Sequence, residues 1–184
     1  MLGRRKTPDS IDETAGEWER RALEARPRLV SIAERVLRHR GDAEDTADEA
    51  ISRLARELRG GVQFVEIEPW LVRPTLHLAI DRARQWVRRN AKLHDLWRSR
   101  RAESDPRAEA EKAEAREEVW RRILELPEKR QQVVVLRDME GLAYAEVARI
   151  LGIRESTARA HVYAAREELR RKLARYVRAE GNDG

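Results

Sequence analysis

The feature that most limits what this chain can fold into is a glycine between two helical periods near its carboxy-terminal end, Gly152. Upstream of it, Leu126-Pro127 opens a helix, because proline presets the first turn. That helical run extends to Arg137 and stops at Glu140-Gly141. A short helix then carries Tyr144, Val147, Ala148 and Leu151. Gly152 is the residue best suited to the left-handed turn that follows a helix end. Ile153 re-enters the core, and a last helix runs from about Glu155 past Arg170. Two helices joined by a tight glycine turn offer the second to a DNA major groove. Residues 122–173 are therefore read as a helix-turn-helix.

The last helix sorts by face. Ala158, Val162, Ala165 and Leu169 recur at helical spacing and are expected to pack inward. Ser156, Ala160 and Tyr163 lie opposite, flanked by Thr157, Arg159 and Ala164. Small residues let a helix approach the bases, and arginine bonds guanine or phosphate. The expected DNA-facing set is Arg154, Ser156, Thr157, Arg159, Ala160, Tyr163 and Arg166. Arg166 lies nearer the packed edge, where a phosphate contact is expected. The plain alternative is a solvated face on an ordinary bundle helix.

Composition sets the frame. The chain has 184 residues, room for one ordinary domain or two small ones. Charged residues make up 40% and aromatics 5%, which suits helical bundles with thin cores. With 39 basic and 34 acidic residues the net charge is only +5, so the placement of charge matters more than its sum. Without cysteine there is no disulfide frame and no thiolate metal site. No apolar run reaches membrane-spanning length, and the first residues lack a hydrophobic signal core, so a cytoplasmic protein without membrane insertion is expected.

Helices are expected at about Trp18–Ala25, Pro27–His39, Asp42–Arg59 and Trp70–Asn90, with Pro27 separating the first two. Only Val62–Ile67 has strand character. Residues 99–113 contain no large apolar side chain and break at Asp105-Pro106, although alanine and glutamate allow part of them to be helical. The expected organisation is an all-α chain of two small helical domains. An amino-terminal domain spans 15–92, a linker 93–113 and a carboxy-terminal domain 114–178.

Charge is segregated in the amino-terminal half. Asp42, Glu44, Asp45, Asp48 and Glu49 lie on one helix whose inward stripe is Ala47, Ile51, Leu54 and Leu58. Acid at a helix start complements the helix dipole, which accounts for Asp42 and extends to Glu44 and Asp45. Asp48 and Glu49 lie more than a turn further in and suggest an acidic docking surface. The next helix is the opposite. Its apolar stripe is Val72, Leu76, Ala79, Ala83 and Val87, while Arg73, His77, Asp81, Arg84 and Arg88 share another face. Between Arg82 and Arg101 there are eight basic residues and one acid, interleaved with Trp86 and Trp97 and following Trp70. Arginine with aromatics suits phosphate contact and base stacking. The alternative is that the tryptophans are core and the arginines solvated, which is favoured for Trp86 and left open for Trp70.

These stretches resemble a known family. Gly141-Leu142-Ala143-Tyr144-Ala145-Glu146-Val147-Ala148 through Leu151-Gly152-Ile153, with Thr157-Ala158-Arg159-Ala160-His161, is similar to region 4 of extracytoplasmic-function (ECF) sigma factors. Residues 28–89 resemble sigma region 2, through Ala43-Glu44-Asp45 to Ile51, Trp70-Leu71, His77 to Asp81, and Arg84. The resemblance implies a transcription initiation factor rather than an enzyme. It implies that Asp42, Glu44, Asp45, Asp48 and Glu49 dock on the clamp helices of core RNA polymerase, whose flap is a second contact. It implies that Phe64, Trp70, Arg73, His77, Arg84 and Arg88 read and open the −10 element of promoter DNA, and that the last helix reads the −35 element. An anti-sigma protein is a further implied partner, and no cofactor or metal is implied.

The chain departs from the family pattern at several places. Asp48 replaces glutamine, Ile51 an aromatic and His77 asparagine. Ala158, Ala160 and Ala164 stand where valine, serine and arginine are common, and Arg154 occupies the usual serine cap. Pro74 implies that its helix begins near Arg73 or kinks there. In the loop from Arg59 to Glu68, Phe64 supplies either a stacking surface for an extruded base or a hydrophobic plug. The four histidines, His39, His77, His94 and His161, show no metal-ligand spacing. Two other readings compete: a helix-turn-helix regulator that works without polymerase, and a sigma-like decoy that occupies an anti-sigma protein.

Overall fold

The computed structural model describes the backbone of residues 11–60, 66–89 and 108–180, and side chains within 17–60, 66–89 and 115–174. Every regular element among them is helical. In chain order these are α1 (Ile11–Leu37), α2 (Arg40–Arg59), α3 (Ile67–Arg89), α4 (Ala108–Leu124) and α5 (Glu128–Val134). A π-helical turn (Val135–Met139) follows, then α6 (Tyr144–Leu151) and α7 (Glu155–Glu180).

Helices α1, α2 and α3 pack on one another, and α7 packs on α4, α5 and α6. The two groups meet where α3 lies against α6 and α4. Apolar burial follows helical spacing: Ala22, Ala25, Leu29, Ile32 and Val36 line the inward side of α1. On α2, Ala47 and Leu54 are buried, with Ile51 and Leu58 partly so. On α3, Val72, Leu76, Ala79 and Ala83 are buried and Val87 is half-buried, so the expected stripe is the packed one.

Both internal prolines are absorbed. The chain does not break at Pro27; α1 is continuous through it. Proline removes the bond to the carbonyl four residues back, here that of Leu23. Pro27 is exposed and Leu23 is 65% exposed, so water can satisfy that carbonyl. Nor does α3 begin near Arg73: it starts at Ile67 and runs past Pro74. A proline inside a helix costs about 3 kcal/mol. Burial of Leu71, Val72, Leu76 and Ile80, at roughly 1.5–3 kcal/mol for each large side chain, outweighs it. Ile67, expected to be extended, is therefore helical, while residues 62–65 lie outside the described set. Helix α4 begins at Ala108, inside the stretch read as linker, where alanine and glutamate dominate.

Candidate nucleic-acid interface

The geometry of the carboxy-terminal motif begins at the end of α6. Gly152 adopts φ 65° and ψ 38°, the left-handed conformation. The Ile153 N–H reaches back to the Ala148 carbonyl at 3.0 Å, and the Gly152 N–H to that of Arg149 at 3.4 Å. This nested pair closes the helix and turns the chain into α7. At the start of the motif Pro127 stands at the N-cap of α5. The helical run toward Arg137 widens into the π turn, where the Glu140 N–H bonds the Val135 carbonyl at 3.0 Å.

On α7, Ala158, Val162 and Ala165 are buried and Leu169 packs against the core. Arg154, Ser156, Arg159, Ala160, Tyr163 and Arg166 are exposed, and Thr157 is half-buried. Tyr163 is 70% exposed, uncommon for so large an aromatic, and sits mid-face. The sequence places these residues together, and the structure keeps that face open.

Two arginines on this face are held by partners, one of them at helical spacing and the others from outside the helix. Arg159 donates Nε and Nη2 to Glu155 Oε1, at 3.1 and 2.5 Å. Its Cζ also lies 4.4 Å from the centre of the Tyr144 ring. Tyr144 is thus only half-buried, and part of its ring serves an arginine rather than the core. Arg166 donates to both carboxylate oxygens of Asp138, with Nη2 at 2.5 Å and Nε at 3.2 Å. The hydrogen bond and charge of Asp138 raise the Arg166 pKa above its ordinary value. Asp138 belongs to the π turn, which brings it alongside α7.

The residues expected to face the −10 element are divided. Arg73 and Arg88 are exposed, Trp70 is half-buried, and Phe64 lies outside the described residues. His77 is exposed as well but lies between acids, and Arg84 is half-buried. His77 Nε2 lies 3.3 Å from Asp81 Oδ2, and Nδ1 lies 3.1 Å from Glu128 Oε1 on α5. Carboxylates rather than arginines surround this ring. Arg84 donates Nη2 to Gln131 Oε1 at 2.7 Å. Gln131 is fully buried and in turn donates to the carbonyls of Leu124 and Leu126, at 2.6 and 2.7 Å. Both α3 side chains thus join the two helical groups.

The acidic helix is also divided. His39, not an acid, caps α2, its Nδ1 accepting from the Asp42 N–H at 3.2 Å. Glu44 accepts from Arg40 at 3.0 Å. Asp48 accepts two bonds from Arg26 on α1, at 2.7 and 2.9 Å. Those bonds hold its pKa below the ordinary carboxylate value, against a smaller opposing effect of burial. Glu49 accepts from Arg53 at 2.6 Å and from Arg82 on α3 at 2.7 Å. Asp42 and Asp45 are exposed. Arg26 and Arg82 are the residues that sequence reading missed here; only their exclusion from the apolar stripes marks them.

Comparison with known proteins places the chain. The sigma-70 region 4 family matches residues 116–169. The SigM ECF RNA polymerase sigma factor of Mycobacterium tuberculosis is 30% identical over 146 residues, covering 79% of this chain and 71% of SigM. The chain belongs to the ECF family of RNA polymerase sigma factors. The ECF sigma factor SigE of Mycolicibacterium smegmatis is 29% identical over 161 residues, covering 86% of this chain but only 62% of SigE. Among solved structures, CnrH in complex with the cytosolic domain of CnrY overlays with a TM-score of 0.51 at 21% identity, covering 88% of each chain. That likeness shows a shared fold. Among the described residues of this sigma factor, no helix is long and apolar enough to cross a membrane.

Proposed function

We propose that this chain directs core RNA polymerase to promoters. In this reading α2 docks on the polymerase clamp through its open acids, and α7 reads the upstream −35 element. Helix α3, with the loop before it, reads and helps melt the −10 element. The observation that carries the reading is the open face of α7. Ser156, Arg159, Ala160 and Tyr163 stand exposed on a helix set by a left-handed glycine turn, with small residues beside an arginine, a combination suited to base contact. A docked protein partner that restrains the factor is part of the same reading, as CnrH was solved bound to CnrY. Arg84 reaches promoter DNA only after exchanging Gln131 for a phosphate or base acceptor, whereas His77 stands exposed beside Asp81 and Glu128.

Footprints of the polymerase complex on native and scrambled upstream elements test the assignment. Arg159→Ala and Tyr163→Ala are expected to weaken protection of the native element selectively, by about 1–3 kcal/mol for a lost base contact. Polymerase binding is expected to stay intact. Equal weakening on both DNAs would make Arg159 a phosphate contact and reject its base-reading role.

A further inference from the structure

Tyr144 opens α6, half-buried against the core. Two guanidiniums lie over its ring, with Cζ of Arg137 at 4.6 Å and Cζ of Arg159 at 4.4 Å from the centroid. An aromatic face attracts a cation through its quadrupole. Arg137 is anchored as well, donating Nη1 to the Leu142 carbonyl at 2.7 Å. The ring and Arg137 form a seat on one half of the motif, and Arg159 reaches it from the other.

Only part of the donor set of Arg159 is engaged. Nε and Nη2 face Glu155 Oε1. Nη1, with the second proton of Nη2, forms the end of the fork. Those paired donors can meet O6 and N7 of a guanine. A guanidinium seated on a ring resists swinging out of its plane, so the Tyr144 face sets the tilt of the fork. Glu155 sets its rotation within that plane.

We propose that Tyr144 is a positioning residue for promoter reading: it holds Arg159 so that the free end of its fork meets a base, and thereby sharpens base choice without touching DNA. The proposal rests on the assignment of α7 to the upstream element. The ring, not the hydroxyl, is the working part, so phenylalanine substitutes for it.

The test is selection of duplex DNA with a randomised upstream segment by the full chain bound to core polymerase, read as base preference at each position. Arg159→Ala identifies the position that Arg159 reads. Tyr144→Leu is expected to reduce preference there roughly three- to five-fold, the scale of a lost cation–π contact, and nowhere else. Tyr144→Phe is expected to restore it, and the double variant Tyr144→Leu with Arg159→Ala to match Arg159→Ala alone. Should Tyr144→Leu not fold, Tyr144→Met carries the same comparison. The proposal is overturned if preference survives loss of the ring while Arg159→Ala abolishes it. A phenylalanine variant as poor as leucine, or a double variant worse than Arg159→Ala, overturns it too. If Arg159→Ala changes no preference at any position, the assignment of α7 itself fails and the proposal falls with it.

Discussion

Among the acids of α2, Asp45 is exposed with no ion pair to another described side chain, whereas Arg26 grips Asp48 and Arg53 and Arg82 hold Glu49. A basic partner gains most from the open carboxylate. Asp45→Lys is therefore expected to lower retention on core polymerase at least roughly tenfold, through like-charge repulsion across the interface. Asp48→Lys should lower it less, and the pair Glu44→Lys with Asp45→Lys should abolish it. Co-purification, with circular dichroism to confirm folding, checks the order; a larger loss at Asp48 would contradict it. Asp48 instead serves stability. Its folded pKa is depressed, so its contribution is present above the unfolded value and lost as pH falls through the folded one. Asp48→Asn should destabilise at pH ~7 by at most about 1 kcal/mol, since the pair is half exposed. The deficit should shrink as pH falls below the ordinary aspartate value of about 3.9 and vanish only below the depressed folded one, as urea unfolding across that range will show. An equal deficit throughout would assign the effect to packing. Local spacing made all five acids visible in the sequence. It could not show that Arg26 on α1 holds Asp48 or that Arg82 on α3 holds Glu49, because those two partners come from other helices.

The turn between α6 and α7 is an element whose sequence signal and geometry coincide. Gly152 sits at φ 65°, and a Cβ added there meets nothing within 4 Å, so any cost of substitution is backbone strain alone. Gly152→Ala should cost about 1–2 kcal/mol of stability. Gly152→Asn should cost less, because asparagine tolerates the left-handed region, and Gly152→Val more, because β-branching does not. Thermal unfolding of the three variants orders them; equal costs would mean that the turn is not strained. The inward stripe of α7 was legible for a similar reason, since Ala158, Val162 and Ala165 follow the helical period and are buried. Pro27 misled because proline acts locally while burial acts over a whole helix. The role of Tyr144 was not legible, because the two arginines over its ring come from outside its helix.

At the scale of the whole molecule, a row of polar pairs joins the amino-terminal helices to the carboxy-terminal ones. Arg28 on α1 donates to Glu68 on α3 at 2.5 Å and to Glu146 on α6 at 2.7 Å. Arg35 pairs with Glu140 at 2.5 Å, and Arg149 pairs with Glu66. Burial raises the pKa of Glu140, while Arg35 and Arg28 pull it back. Arg28→Ala should cost about 1–2 kcal/mol, a value discounted for its partial exposure, whereas Arg20→Ala in an open surface pair should cost under about 0.5 kcal/mol. Chemical denaturation distinguishes them, and equal costs would show that Arg28 does not tie the halves together. No sequence period links Arg28 to Glu146, which are 118 positions apart, so the two domains were legible and their contact was not. The proposed function of this ECF sigma factor is to convert core polymerase into a promoter-specific enzyme. Run-off transcription with purified core polymerase over a promoter library measures that conversion. Transcripts are expected only when the factor is present, from a restricted promoter set, with Asp45→Lys lowering all of them and Arg159→Ala altering the set. Polymerase binding without any transcript would reject the proposed function and favour a decoy, and sequence-specific DNA binding without polymerase binding would favour an independent regulator.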